Sequence, residues 1–205
     1  MTIFPTRRVL TASAFAAAAL LTATACTPSK PAPAPSQDIT KEEVAAAEKA
    51  WGKALVDISL AYDTGGIEKA KPLARTVIDT AYGYDLGPVL FKPTLTQEPQ
   101  TFRLTKEGAL AYFVGDDPNF PKDSGFALKH WRDVKVEDVG LQINGSVANT
   151  MGKVTFTDNK GCFITVDKTW VFKKDGKNVV RIIVHHSSLQ FPETGALTCP
   201  KSEKG

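Results

Sequence analysis

Apolar residues recur along this chain with two different periods, and the change from one to the other divides it. Val44, Ala47, Trp51, Leu55, Ile58 and Tyr62 are spaced so that they share one face of a long helix. Thr40-Lys41-Glu42-Glu43 ahead of them is a capping box, in which the Thr hydroxyl and the Glu side chain each take an orphan backbone N–H. Asp63-Thr64-Gly65-Gly66 ends that helix. A second runs over about 67–82, with Pro72 as a candidate break. GPVLFKPT at 87–94 is a short extended piece bounded by prolines, at best an edge strand. TKEGALAYFV at 105–114 reads as a short Thr-capped helix carrying Leu110, Tyr112 and Phe113, with a strand as the competing reading. Residues 115–123 form a loop rich in Asp, Pro and Asn.

The last third is strand. Asn144-Gly145 is a strong hairpin signal, because both residues tolerate positive φ. Asp158-Asn159-Lys160-Gly161 and Lys174-Asp175-Gly176-Lys177 are two further turns. They leave four strands, at about 131–143, 146–157, 162–173 and 178–189. In the first, the apolar phase moves from Val134 and Val136 to Val139, Leu141 and Ile143, which predicts a β-bulge near Glu137–Asp138. In the third, Ile164, Val166, Trp170 and Phe172 share a face that Lys168 interrupts. The ordinary reading of Lys168 is a side chain that snorkels or pairs with an acid. The last strand, VVRIIVHHSSL at 179–189, is apolar on both faces, as a buried central strand is. It then turns polar at His185, His186, Ser187 and Ser188. Such side chains must be satisfied by the fold or by a ligand; a strand merely leaving its sheet is the alternative.

Helices first and a bent antiparallel meander afterwards make an α+β layout, with the helices on one face of a curved sheet. The pattern is similar to the cone-shaped fold of nuclear transport factor 2 and ketosteroid isomerase. That likeness implies helices on the concave side, a pocket between helices and sheet, and an outer sheet face that commonly pairs two copies. A homodimer is therefore expected.

The N-terminus gives an address. Arg7 and Arg8 precede an apolar, Ala-rich run from Val9 to Leu21, too short to span a bilayer as a stable helix, so residues 1–25 read as an export signal. Ala23-Thr24-Ala25-Cys26 resembles the bacterial lipobox, which implies cleavage and a lipid-modified Cys26. Ordinary secretory cleavage after Ala25 is the alternative. A multiply acylated Cys26 would hold the protein on a leaflet. Thr27 in place of Asp suits an outer-membrane lipoprotein facing the periplasm. Residues 26–37, rich in Pro, Ala and Ser, read as an extended tether. The folded domain is then 38–191, and 192–205 is a C-terminal tail. The formal charge of +3 counts the two leader arginines, and with no basic stripe or P-loop it does not indicate nucleic acid. Of three cysteines, Cys162 and Cys199 remain after the anchor, an even pair in an oxidising compartment and a candidate disulfide.

Seven stretches go beyond a generic cone fold: AWGKALVDIS at 50–59, AYGYDLGPVLFKPT at 81–94, EGALAYFVG at 107–115, DSGFALKHW at 123–131, MGKVTFTD at 151–158, DKTWVFKK at 167–174 and HHSSL at 185–189. On these the chain resembles the iota class of carbonic anhydrases, related to the association domain of calmodulin-dependent kinase II. The resemblance covers nearly all of 40–191. It implies reversible hydration of CO2 without metal or other cofactor, with bicarbonate held by the hydroxyls of Thr94, Tyr112 and Ser187. His130 departs from the family, which has proline there.

Three hydroxyls in an apolar pocket can place a water against carbon and donate to the oxygens on which charge grows. The proton acceptor is less evident. Tyr112 would need a pKa far below its usual value of about 10. His185 shares a strand face with Ser187 and is a shuttle candidate, with a structural histidine as the alternative. A zinc site is not expected: the chain has three histidines, His130, His185 and His186, and the adjacent pair points to opposite faces. Two other functions compete. One is a non-enzymatic, lipid-anchored module that binds a small ligand or serves assembly. The other is proton abstraction beside a carbonyl, which needs a pocket Asp or Glu with a raised pKa, whereas the acids here fall mainly in turns or on helix surfaces.

Overall fold

The structure, a computed structural model, describes residues 38–190. The export signal, Cys26 and its tether, and the tail with Cys199 lie outside the described residues. The chain runs α1 (Lys41–Ala81), β1 (Leu90–Lys92), α2 (Lys106–Val114), a 3-10 turn (Phe126–Leu128), β2 (Trp131–Asn144), β3 (Val147–Asp158), β4 (Phe163–Lys174) and β5 (Val180–Ser188).

The capping box opens α1 as expected: Thr40 N donates to Glu43 Oε2 at 2.9 Å, and Glu43 N to Thr40 Oγ1 at 3.2 Å. Non-helical dihedrals inside α1 are confined to Gly65 and Gly66, the latter at φ 62°. The two expected helices are thus two halves of one kinked run, and no break occurs at Pro72. Val44, Trp51, Leu55 and Ile58 from the first half and Ala70, Ala74 and Ile78 from the second are buried. Ala47 and Tyr62 pack partly buried against this core. α2 is the short helix expected at 105–114, capped by Thr105 Oγ1, and it is buried along nearly its whole length.

The five strands form one sheet in the order β1-β5-β4-β3-β2. β1 is an edge strand parallel to β5, and the other pairs are antiparallel. The expected bulge lies in β2 between Asp138 and Gly140. Opposite it, a Cβ on Gly152 would come 2.1 Å from Glu137 O, so glycine is required by close backbone approach. The first hairpin turns one residue later than expected. Asn144 pairs with Val147, so Gly145 (φ 57°) and Ser146 are the central residues, and glycine takes the first central position as in a type II′ turn. In the last turn the left-handed residue is Asn178 (φ 62°) rather than Gly176, and Asp175 Oδ1 accepts from the N–H groups of Lys177 and Val179.

β5 lies between β1 and β4, so it is interior as its composition indicates. Its register against β4 shifts between the Val171–Val184 and Phe172–Ile182 pairs, leaving Ile183 as an extra residue. Ile182 and His185 are three apart and would face opposite sides of a regular strand. The bulge lets both point into the core, with Ser187 following on the same side.

Candidate active site

Where α1, α2, β1, β4 and β5 meet, the core is a cage of aromatic rings. Phe91 of β1 stacks on the His185 imidazole, with centroids 4.3 Å apart, and Trp51 meets the same ring edge-on at 5.3 Å. Tyr112 of α2 stacks on Phe126 at 5.5 Å. Within this cage Trp51, Phe91, Phe113, Phe126 and Phe156 enclose a small cavity whose remaining lining is polar: Thr94, Tyr112, Lys168, His185 and Ser187. Its volume for the centre of a water molecule is about 10 Å3, room for about one water.

All four residues named from the sequence, Thr94, Tyr112, His185 and Ser187, therefore line one cavity. Thr94 sits just past β1, and its Oγ1 donates to Ser187 Oγ at 2.7 Å. That bond leaves the Ser187 hydroxyl proton to donate elsewhere. Lys92 Nζ reaches Ser187 O at 3.4 Å, which ties the end of β5 to β1. Burial raises the Tyr112 pKa, opposed by the backbone N–H of Leu95, so its hydroxyl stays protonated. Behind α2 the buried pair Arg103–Asp123, at 2.8 Å, ties the segment before α2 to the loop after it.

The histidine is held by both ring nitrogens. Trp51 Nε1 donates to Tyr82 Oη at 2.9 Å, Tyr82 Oη lies 2.8 Å from His185 Nδ1, and His185 Nε2 lies 2.7 Å from Lys168 Nζ. Tyr82, Lys168 and His185 are all buried. Burial first, then the nearby positions of Lys168 and His186, hold the His185 pKa well below its usual range, so the imidazole is neutral. Burial alone lowers Lys168 from its ordinary 10.5 to about 7.

Lys168 thus overturns the ordinary reading of its position. It neither snorkels nor pairs with an acid among the described residues. Its Nζ lies 5.0 Å from the Trp51 ring centroid and 5.2 Å from that of Trp170. The sequence signal was the lysine's place on a strand face otherwise wholly apolar. Tyr82 gave no comparable signal, because its role depends on the chain turning sharply at the end of α1. One acid also departs from expectation. Glu48 on α1 is buried, accepts from Thr150 Oγ1 at 2.9 Å, and is pushed up to about 7 by burial and then by Asp138. It does not line the cavity.

Among the described residues no three of His, Cys, Asp or Glu converge as metal ligands. His130 lies at φ 58° with its ring against Asp63, which also takes Arg132. Proline cannot adopt that φ, so this corner has its own backbone path. Cys162 is buried at the start of β4 and is disulfide-bonded.

A sheet covered by helices on one face, with a small aromatic cavity on which several hydroxyls converge, is the α+β layout read from the sequence. The particular family follows from comparison. Residues 42–189 match the family described as metal-independent carbonic anhydrase, and the chain belongs to that family. A metal-independent carbonic anhydrase of the cyanobacterium Nostoc sp. is 56% identical over 161 residues, 78% of each chain. A crystal structure of a cyanobacterial iota-carbonic anhydrase complexed with bicarbonate is 57% identical, covers 78% of this chain and 98% of that one, and superposes with a TM-score of 0.77.

Proposed function

We propose that this protein is a carbonic anhydrase that interconverts CO2 and bicarbonate, with bicarbonate held by Thr94, Tyr112 and Ser187. The observation that carries the reading is the convergence of these three hydroxyls on one small, ring-walled cavity in a member of this family. CO2 is apolar and suits the aromatic walls. As water oxygen adds to its carbon, charge grows on the CO2 oxygens. Tyr112 keeps its proton because burial raises its pKa, and Ser187 is freed to donate because Thr94 donates to it. Both are preorganised in a small, mostly buried site, where each such donor is worth about 2.7–4 kcal/mol to the transition state. The alternative, a ligand-binding or assembly module without activity, does not call for a cavity of this size with so many polar groups.

The test is CO2 hydration followed by a stopped-flow pH indicator, on protein stripped with a strong chelator, beside Tyr112→Phe and Ser187→Ala. Activity should survive stripping and fall by about 10²–10³ in each variant. Activity that returns only with added metal would discard this site.

The same reading extends to address and assembly. Arg7, Arg8, the Val9–Leu21 run and Cys26 support an exported, lipid-anchored protein on the periplasmic face of the envelope. Mass spectrometry of the membrane fraction should show an acylated Cys26, lost in Cys26→Ala. Cys162 is paired in this reading with Cys199, and Val139 and Met151 exposed on the sheet support a homodimer. Light scattering of the purified domain tests the dimer.

A further inference from the structure

Lys168 has the surroundings of a group kept for chemistry rather than for the fold. It is 4% exposed, and the one hydrogen-bond partner of its side chain among the described residues is a neutral imidazole. The groups that face it come from four elements. β5 supplies His185 and Ser187, with His186 on the opposite face of the strand. The end of α1 supplies Tyr82 behind His185, and α2 supplies Tyr112 across the cavity. β3 offers the backbone of Gly152 in register opposite and the ring of Phe156, 5.9 Å from Nζ, neither of which titrates, and the buried Glu48 carboxyl of α1 turns to Thr150 instead. No carboxylate among the described residues balances a charge on Lys168. A buried lysine without a counter-anion gives up its proton readily, so this one becomes a neutral amine as pH rises through about 7, and an anion formed in the cavity would supply what is missing.

We propose that Lys168 is a catalytic residue, whose neutral amine takes the proton of the water that attacks CO2 in the cavity it shares with Thr94, Tyr112 and Ser187. This rests on the carbonic anhydrase reading of that cavity. The water oxygen bonds to carbon, one C=O electron pair moves onto its oxygen, and the water O–H breaks with its proton landing on Lys168 Nζ. The products are bicarbonate and an ammonium side by side. When bicarbonate leaves, the ammonium gives its proton to a solvent base and the amine is restored. The step requires an N–H of Lys168 to donate to His185 Nε2, 2.7 Å away, with the His185 proton on Nδ1 facing Tyr82 Oη, which also accepts from Trp51 Nε1. His185 is thus a positioning residue, fixing the amine so that its lone pair is left for the water. The rings of Trp51, Trp170 and Phe156 near Nζ ease the arrival of positive charge.

The test uses the full chain, Lys168→Met and two readouts. Wild-type kcat for hydration should rise with pH through an inflection near 7. In Lys168→Met it should fall by about 10²–10⁴ and lose that inflection, with a cooperative melt showing that the variant is folded. Calorimetry with sodium bicarbonate at about pH 8, in buffers of different ionisation enthalpy, should show wild type taking up close to one proton per anion bound. Lys168→Met should take up none. Should Lys168→Met fail to fold, the wild-type proton uptake decides alone, and bicarbonate bound without uptake would overturn the proposal. An active wild type matched in rate and pH profile by a folded Lys168→Met would also overturn it and leave the anhydrase reading intact. A wild type without hydration activity would remove both.

Discussion

Replacing Tyr82 by phenylalanine removes one oxygen from the middle of the buried chain that joins Trp51 to Lys168. The ring stays, so its packing on His185, Phe91 and Phe113 persists and no cavity opens. Two buried groups lose their partner: Trp51 Nε1–H at 2.9 Å and His185 Nδ1 at 2.8 Å. An orphaned buried polar group costs about 1–3 kcal/mol. The histidine recovers part of its share by moving its proton to Nε2, so the sum is about 2–4 kcal/mol. At 2–4 °C per kcal/mol for a domain of this size, Tm should fall by about 4–16 °C.

The same shift of tautomer reaches the chemistry. A proton on His185 Nε2 points at Lys168 Nζ and engages its lone pair, so an ammonium there would face a donor instead of an acceptor. Lys168 then binds a proton less readily. The inflection in kcat for hydration should move below its wild-type position near 7, and kcat should drop even where the protein is fully folded. Urea denaturation gives the first quantity and stopped-flow hydration from about pH 6 to 9 the second. An inflection that stays in place or moves upward, with kcat unchanged, would refute the positioning role of His185. A Tm within about 1 °C of wild type would refute the energetic argument as well.

Two further perturbations test the scaffold. The Glu48 carboxyl is raised in the fold to about 7 from 4.5, so its stabilising, protonated form is present at low pH and is lost as pH rises through about 7. Glu48→Gln keeps an acceptor for Thr150 and removes the charge; it should stabilise the protein at about pH 8 and not at about pH 5, in urea titrations at both. Equal effects at the two pH values would discard the assignment. Gly152→Ala forces a Cβ onto Glu137 O, which is backbone and cannot swing away, so the bulged β2–β3 pairing should lose at least about 2 kcal/mol in the same assay. A loss below about 0.5 kcal/mol would show that the bulge yields.

The helix caps, the Gly65-Gly66 kink, the edge character of β1 and the bulge in β2 were legible because each rests on local chemistry: a side chain meeting its own backbone, or a change in apolar phase. Ser187 stood out at the polar end of an apolar strand, whereas Thr94 and Tyr112 could be named only through family likeness, since a Thr after a proline or a Tyr in an apolar helix has no local mark of function. Two things stayed hidden. Ile183 bulges within an unbroken apolar run, where a phase change cannot show, so the alignment of His185 with Ile182 was invisible. The partners of His185 come from residues 82 and 168, and only tertiary folding brings together a helix end and a neighbouring strand. The family likeness supplied the hydroxyls and left the acceptor open; the backbone path supplies Lys168.

The arrangement suits a reaction whose substrate is neutral and whose product is an anion. Above about pH 7, CO2 enters a cavity where hydroxyls, imidazole and amine are all uncharged, so no charged group has to be stripped of water on the way in. Anion and cation then form together, in contact and already desolvated, and each lowers the cost of the other. A permanent counter-anion beside Lys168 would remove this property, because it would hold the amine protonated before any water could give up its proton. Lys168 therefore sits among rings and beside a neutral imidazole, at a standing cost to stability that an apolar side chain at the same place would not incur. The direction of use follows from the same balance. Hydration draws on the amine and gains as pH rises through about 7, whereas dehydration must begin with Lys168 protonated and gains as pH falls. Measured rates in the two directions should cross in opposite senses over that range, and parallel profiles would place the proton on some other group.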